Sequence, residues 1–151
     1  MKVVDMHCDT IAEIYKDHKK GGRQSILENQ MMLDLKKMQA GDYGLQNFAL
    51  YVNLEQAKGR PFEFCMELLD TFYQEMEAHE DIIGIVRSYE DISRNWEQGR
   101  MSALLTVEEG GTCRVNGVSA GFLPAGCAHD DPDWNFPNEL AFPNAGLQRR
   151  T

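Results

Sequence analysis

"VVDMHCDT", residues 3–10, closes a short apolar run with a histidine and an aspartate two residues apart. Side chains at i and i+2 of a β-strand share a face. A buried strand over Val3–Met6 therefore delivers His7 and Asp9 side by side at its C-terminal edge, where parallel α/β folds keep their chemistry. Both residue types bind metals. Both also serve in solvated loops or as helix caps, and an isolated H-x-D does not decide between these roles.

Periodicity extends the pattern down the chain. Ile11, Ile14, Tyr15 and His18 fall on one face of a short helix, with Thr10 as its N-cap and Gly21-Gly22 as its end. His18 on that face reads as a partly buried structural histidine. Leu33, Leu35 and Met38 precede Gly41 as a short helix or turn, and "GLQNFALYV" (44–52) reads as a buried strand. Pro61 opens the clearest helix (61–79), whose Cys65, Leu68, Leu69, Phe72, Tyr73 and Met76 make an unbroken stripe of period 3.6. "IIGIV" (82–86) is a short strand. "SYEDISRNWEQG" (88–99) begins with the S-x-x-D form of a capping box and stops at Gly99. "MSALLTVEEGG" (101–111) is a further buried strand. Strands alternating with helices predict an α/β fold with a parallel sheet or barrel.

The bulk properties narrow the function. The 151 residues suffice for one ordinary domain with a real core. With 42% hydrophobic and 26% charged residues, the composition is that of a globular protein. A net charge of −9 and no basic stripe argue against nucleic acid or an anionic membrane as partner. No apolar run is long enough to span a bilayer. Strand-like sequence directly after Met1 leaves no room for a signal peptide. The four cysteines (Cys8, Cys65, Cys113, Cys127) contain no C-x-x-C pair, and free thiols in a cytoplasmic protein are the simplest expectation.

Glu108 and Glu109 follow "ALLTV" as His7 and Asp9 follow "KVVDM". If the two strands are parallel, all four groups share one rim. Buried carboxylates without a partner are costly, because desolvation disfavours the charged form. A divalent cation removes that cost, and histidine with carboxylates is a zinc-type donor set.

"DMHCDT", "LDLKKMQAGDYGLQNFALYV" (33–52), "SALLTVEEGG" (102–111) and "WNFPNEL" (134–140) together resemble the N-terminal part of the membrane dipeptidase family of zinc metallopeptidases. The resemblance implies a TIM-like (β/α)8 barrel, present here only in its N-terminal part, that hydrolyses dipeptides at a dinuclear Zn2+ site. It implies His7 and Asp9 as ligands of the first zinc. Glu108 would be the bridging carboxylate in preference to Glu109. It further implies a dipeptide substrate and admits a homodimer of the full-length protein. Two further histidine ligands, and the acid that assists the reacting water, belong to the barrel's second half. A barrel needs about 250 residues, so the expectation is a truncated, inactive fragment with no catalytic residue of its own. Some members carry a substrate-contacting histidine where Trp134 stands. The alternatives are another metal-dependent barrel hydrolase of the amidohydrolase type, which more often shows H-x-H on the first strand, and a non-catalytic truncated reading frame.

Residues 112–133 carry neither helix nor strand periodicity, and the expectation there is an irregular segment. One coding of residues 119–133, read one base on and with one base restored before Trp134, yields "FYRLGVRMMTLTWN" across that junction, which resembles the helix and strand of the family at this point. We read this as a compensated frameshift starting near Gly117. His129, Asp130, Asp131 and Asp133 look like a metal cluster, but on that reading their codons were not selected for chemistry. The domain reading is therefore 1–111 for the βα units, 112–133 for the irregular segment and 134–151 for a short family-like remnant and tail.

Overall fold

The computed structural model describes residues 1–108 and, as backbone, residues 127–131. In chain order the elements are β1 (Val3–Asp5), α1 (Thr10–Lys19), α2 (Leu35–Ala40), β2 (Tyr43–Tyr51), α3 (Leu54–Ala57), α4 (Pro61–Ala78), β3 (Ile83–Ile85), α5 (Tyr89–Glu97), β4 (Met101–Glu108) and β5 (Cys127–Asp131). The strands form one sheet of order β1-β2-β4-β3, and every pairing is parallel. β3 and β5 share one edge of β4. β3 pairs its first residues, Met101–Ala103, and β5 its last, from Leu105 to Glu108.

The two faces of the sheet differ in character because side chains alternate along a strand. Phe48, Leu50 and Val52 of the β2 run and Met101, Ala103, Leu105 and Val107 of β4 join the core with Ile11 and Ile14 of α1 and Leu68, Leu69, Phe72 and Met76 of α4. Phe48 and Phe72 stack at a tilt, 5.9 Å between ring centroids. Tyr15 meets Phe64 edge-on at 5.4 Å, which seats α1 on α4. The opposite face carries Leu45, Asn47, Ala49 and Tyr51, whose register partners are Ser102, Leu104, Thr106 and Glu108. Asn95 of α5 reaches this face, donating to Ser102 Oγ (3.3 Å) and to the Gly84 carbonyl (2.9 Å). Gly84 is glycine because a Cβ there would lie 2.1 Å from Asn95 Oδ1.

Local sequence explains the ends. Pro61 occupies the first turn of α4. Gly21 takes φ +82° just past α1, a conformation open to glycine. The segment between α1 and α2 is tied to α4 through Glu75, which accepts from Ser25 Oγ (2.9 Å) and from the Ile26 backbone N–H (2.7 Å). At α5, Asp91 accepts from the Ser88 N–H (3.0 Å), the reciprocal bond of the expected capping box.

Four expectations need correction. The first strand is not buried: β1 ends at Asp5, and Val3, Val4 and Met6 are exposed. Thr10 is the first residue of α1 and not its cap; Asp9 holds the cap position, and its side chain makes no capping bond. His18 is exposed, although its ring Nε2 lies 2.7 Å from the Gln24 carbonyl, so it ties a loop to the helix without burial. Residues 127–131 are not irregular: they form β5 on β4. Backbone hydrogen bonding explains this without any apolar alternation, because beyond Ala103 the edge of β4 offers N–H and C=O groups that β3 does not reach. The remainder of 112–133 and all of 134–151 lie outside the described residues.

Asp34 caps α2 and is 1% exposed. Burial pushes its pKa up, but the Lys37 ammonium 2.6 Å away and the N–H groups of Lys37 and Asn29 prevail and hold the carboxyl below the usual range. A pKa lowered by folding means the stabilisation is complete above the unfolded value, about 3.9, and is lost as pH falls through the folded value. Asp34→Ala should therefore cost about 1–2 kcal/mol at pH 7. In urea denaturation, the gap between variant and wild type should close as the pH is lowered below about 4.

Candidate metal centre

The site forms beyond the C-terminal ends of β1 and β4, the strands on either side of β2. β1 stops at Asp5, and the chain rejoins β2 three residues later, at Cys8. The Cys8 N–H donates to the Asn47 carbonyl (3.0 Å) and the Ala49 N–H to the Cys8 carbonyl (2.9 Å). Between these anchors the His7 N–H donates to Asp5 Oδ1 (3.2 Å), and the Met6 carbonyl accepts from Asn47 Nδ2 (2.9 Å). Asn47 Oδ1 in turn accepts from Thr106 Oγ1 at 3.2 Å. Thr106 sits two residues before Glu108 and on the same face of β4.

His7, Asp9 and Glu108 converge. His7 Nδ1 lies 3.1 Å from Glu108 Oε1, and His7 Nε2 lies 3.4 Å from Asp9 Oδ2. One ligand atom from each of the three falls within 4.8 Å of the other two. Two donors on a tetrahedral zinc sit about 3.3 Å apart, given bonds of roughly 2.0–2.1 Å, so each imidazole–carboxylate contact taken singly has a donor–donor spacing of that order. The imidazole is sandwiched, one nitrogen toward each carboxylate. Sharing one ion would require one imidazole nitrogen to face both carboxylates, which takes a side-chain rearrangement. The Glu108 side chain is 15% exposed, against 50% for His7 and 52% for Asp9. The most buried carboxylate is therefore the one nearest the middle of the sheet. Asp9 stands at the N-terminal end of α1, where a negative charge is favoured.

The residues around the site reinforce its acidity. His7 and Asp9 border an open hollow of about 430 Å³ that also collects Asp5 and Glu13, with Met31 and Met32 on its apolar side. Cys8 falls between the two candidate ligands in sequence but packs against the core. Burial pushes its thiol up to about 11, outweighing the bonds from Thr10 that favour the thiolate. Glu109, Asp133 and Trp134 lie outside the described residues. His129, Asp130 and Asp131 fall on β5, with Asp131 opposite Glu108 in backbone register. Asn47, Thr106 and Asp5 escaped the sequence reading. The signal for Asn47 was present: an amide in the middle of an apolar strand must find partners when buried.

Comparison with known proteins adds the family. The family model of the membrane dipeptidases (peptidase family M19) matches residues 1–117. The chain belongs to this family. A metallopeptidase of the same family, dipeptidase AC, superposes with a TM-score of 0.72 at 17% identity, over 91% of this chain and 44% of that one. A metallopeptidase from Rhodobacter sphaeroides, liganded with a phosphinate mimic of the dipeptide L-Ala-D-Ala, gives 0.75 at 14% identity, over 91% and 46%. An amidohydrolase from Pseudomonas aeruginosa gives 0.58 at 17% identity, over 91% and 34%. No curated protein sequence matches. At these identities the superpositions establish the fold: a parallel α/β sheet equivalent to a fragment of the metallopeptidases, of whose length this chain spans less than half. Among the described residues no helix is long and apolar enough to cross a membrane.

Burial raises the pKa of Cys8 and so disfavours its reactive thiolate. Peptide mapping after iodoacetamide treatment of the native protein at pH 8 should find Cys8 and the fully buried Cys65 unmodified. Both should react after denaturation.

Proposed function

We propose that this chain is part of a zinc-dependent dipeptidase, in which His7 and Asp9 hold one ion and Glu108 bridges to a second. The observation that carries the reading is the meeting of one imidazole and two carboxylates at the ends of β1 and β4. Membership of the dipeptidase family and the likeness to an enzyme liganded with a dipeptide mimic support the substrate class. H-x-D just after the first strand favours this reading over the amidohydrolase alternative.

Zinc bound there would polarise the scissile carbonyl and supply a water acidified toward neutral pKa. The chain's own residues provide the mould. Glu108, with two oxygens and the deepest position, can face two ions; His7 and Asp9 complete one side. A neutral imidazole and two carboxylates leave a net charge near zero once one divalent ion is held, which removes the repulsion between the acids. Three ligands define a partial site, so we further propose that the 151-residue polypeptide alone does not turn over dipeptides.

Isothermal titration with Zn2+ tests the ligand assignment. His7→Ala should weaken zinc binding by about tenfold or more, roughly 1.4 kcal/mol. His18→Ala, at an exposed histidine outside the site, should leave it unchanged. Equal loss in both variants would contradict the assignment. Dipeptide hydrolysis by the zinc-treated 151-residue chain should be indistinguishable from that of its His7→Ala variant. Turnover that vanishes in the variant would instead make this chain an enzyme in its own right.

A further inference from the structure

We propose that Asn47 is the positioning residue of the metal centre: its side chain clamps the β1 terminus to β4 and thereby sets the distance between His7 and Glu108. This rests on the ligand reading above and assigns a role to a residue outside the ligand set. Asparagine is poorly suited to the middle of a strand, and burying its amide without partners would cost several kcal/mol. Asn47 is nevertheless only 6% exposed. Its hydrogen bonds offset that burial, and they point in two informative directions. Nδ2 donates to the Met6 carbonyl at 2.9 Å, the peptide immediately before His7. Oδ1 accepts from Thr106 Oγ1 at 3.2 Å, two residues before Glu108. The backbone carbonyl of the same residue accepts from Cys8, immediately after His7. One residue therefore holds the chain on both sides of His7 and is itself anchored to the strand that carries Glu108.

The strand ladder does not perform this task by itself. β1 is three residues long, its register with β2 shifts between Val3 and Val4, and its pairing stops at Asp5. Without the side-chain bond the Met6–His7 peptide would lose its tie to the Asn47 side chain and rely on the short β1 ladder before it and the Cys8 anchor after it. Small displacements matter here, because partners behind metal ligands typically change affinity 10–100-fold when removed.

The experiment compares wild type, Asn47→Leu, Thr106→Val and, as control, Thr71→Val in the 151-residue chain. Thr106→Val keeps the shape and removes only the hydroxyl that anchors Oδ1, so it carries the test if Asn47→Leu fails to fold. Thr71 is also buried, but its hydroxyl donates within α4 to the Glu67 carbonyl, away from the site. Two readouts are taken: Co2+ affinity with its visible spectrum, and, in the metal-free chain, the nuclear Overhauser effect between the His7 ring and the Glu108 side chain. We expect Thr106→Val and Asn47→Leu to abolish the Overhauser effect, weaken Co2+ binding about tenfold or more and alter the spectrum. Thr71→Val should change neither, whatever it does to the melting temperature. Persistence of the Overhauser effect and of Co2+ affinity in both site variants would overturn the proposal, as would absence of the effect in wild type. A wild type that shows the effect but binds no Co2+, while neither site variant shows it, would uphold the clamp and refute the metal reading.

Discussion

The parallel ladder between β2 and β4 runs through seven residue pairs, from Leu45–Ser102 to Tyr51–Glu108. Everything at the site depends on its register. A slip of one residue would turn Glu108 toward the helices and bring Val107 to the opposite face, since side chains alternate with period two. The core resists that slip. Phe48, Leu50, Leu105 and Val107 are fully buried against the helices, and exchanging them for their neighbours would bury Asn47, Thr106 and Glu108 in an apolar layer. Hydrophobic packing on one face thus fixes the level of a carboxylate on the other.

The remaining two groups reach the same point by giving up ordinary roles. An aspartate at a helix N-cap usually accepts from the N–H groups of the first turn. Asp9 makes no such side-chain bond; its carbonyl accepts from Ala12 instead, which leaves its carboxylate with His7. Cys8, between them, packs partly buried against the core, and burial pushes its thiol pKa up. Adjacent residues so part company: two face the rim and one supports it. An imidazole wedged between two carboxylates is the arrangement that a divalent cation would take over through a side-chain rearrangement.

Much of this was legible in the sequence. β2, β4 and α4 announced themselves through near-continuous apolar runs or an unbroken helical stripe, because burial on that scale leaves few alternatives. His7, Asp9 and Glu108 were legible because strand ends are where polar residues interrupt those runs. What escaped has physical reasons too. The start of α1 differs from the sequence reading because both Asp9 and Thr10 are good caps, and the requirements of the strand end decide between them. α3, four residues long, has no periodicity to read. β5 was missed because an edge strand can be recruited by backbone hydrogen bonds alone, which side-chain patterns do not report. Asn47 was passed over as one polar residue in an apolar strand, though a buried amide is the kind of anomaly that marks a constrained position.

Whether the three side chains hold a metal is decided by zinc-edge anomalous diffraction from crystals of the 151-residue chain grown with Zn2+. An anomalous peak should appear bounded by His7, Asp9 and Glu108, with bonds of about 2.0–2.2 Å to one atom of each. A peak on the Cys127–Asp131 strand alone, or none near His7, would show that these residues are not the metal centre.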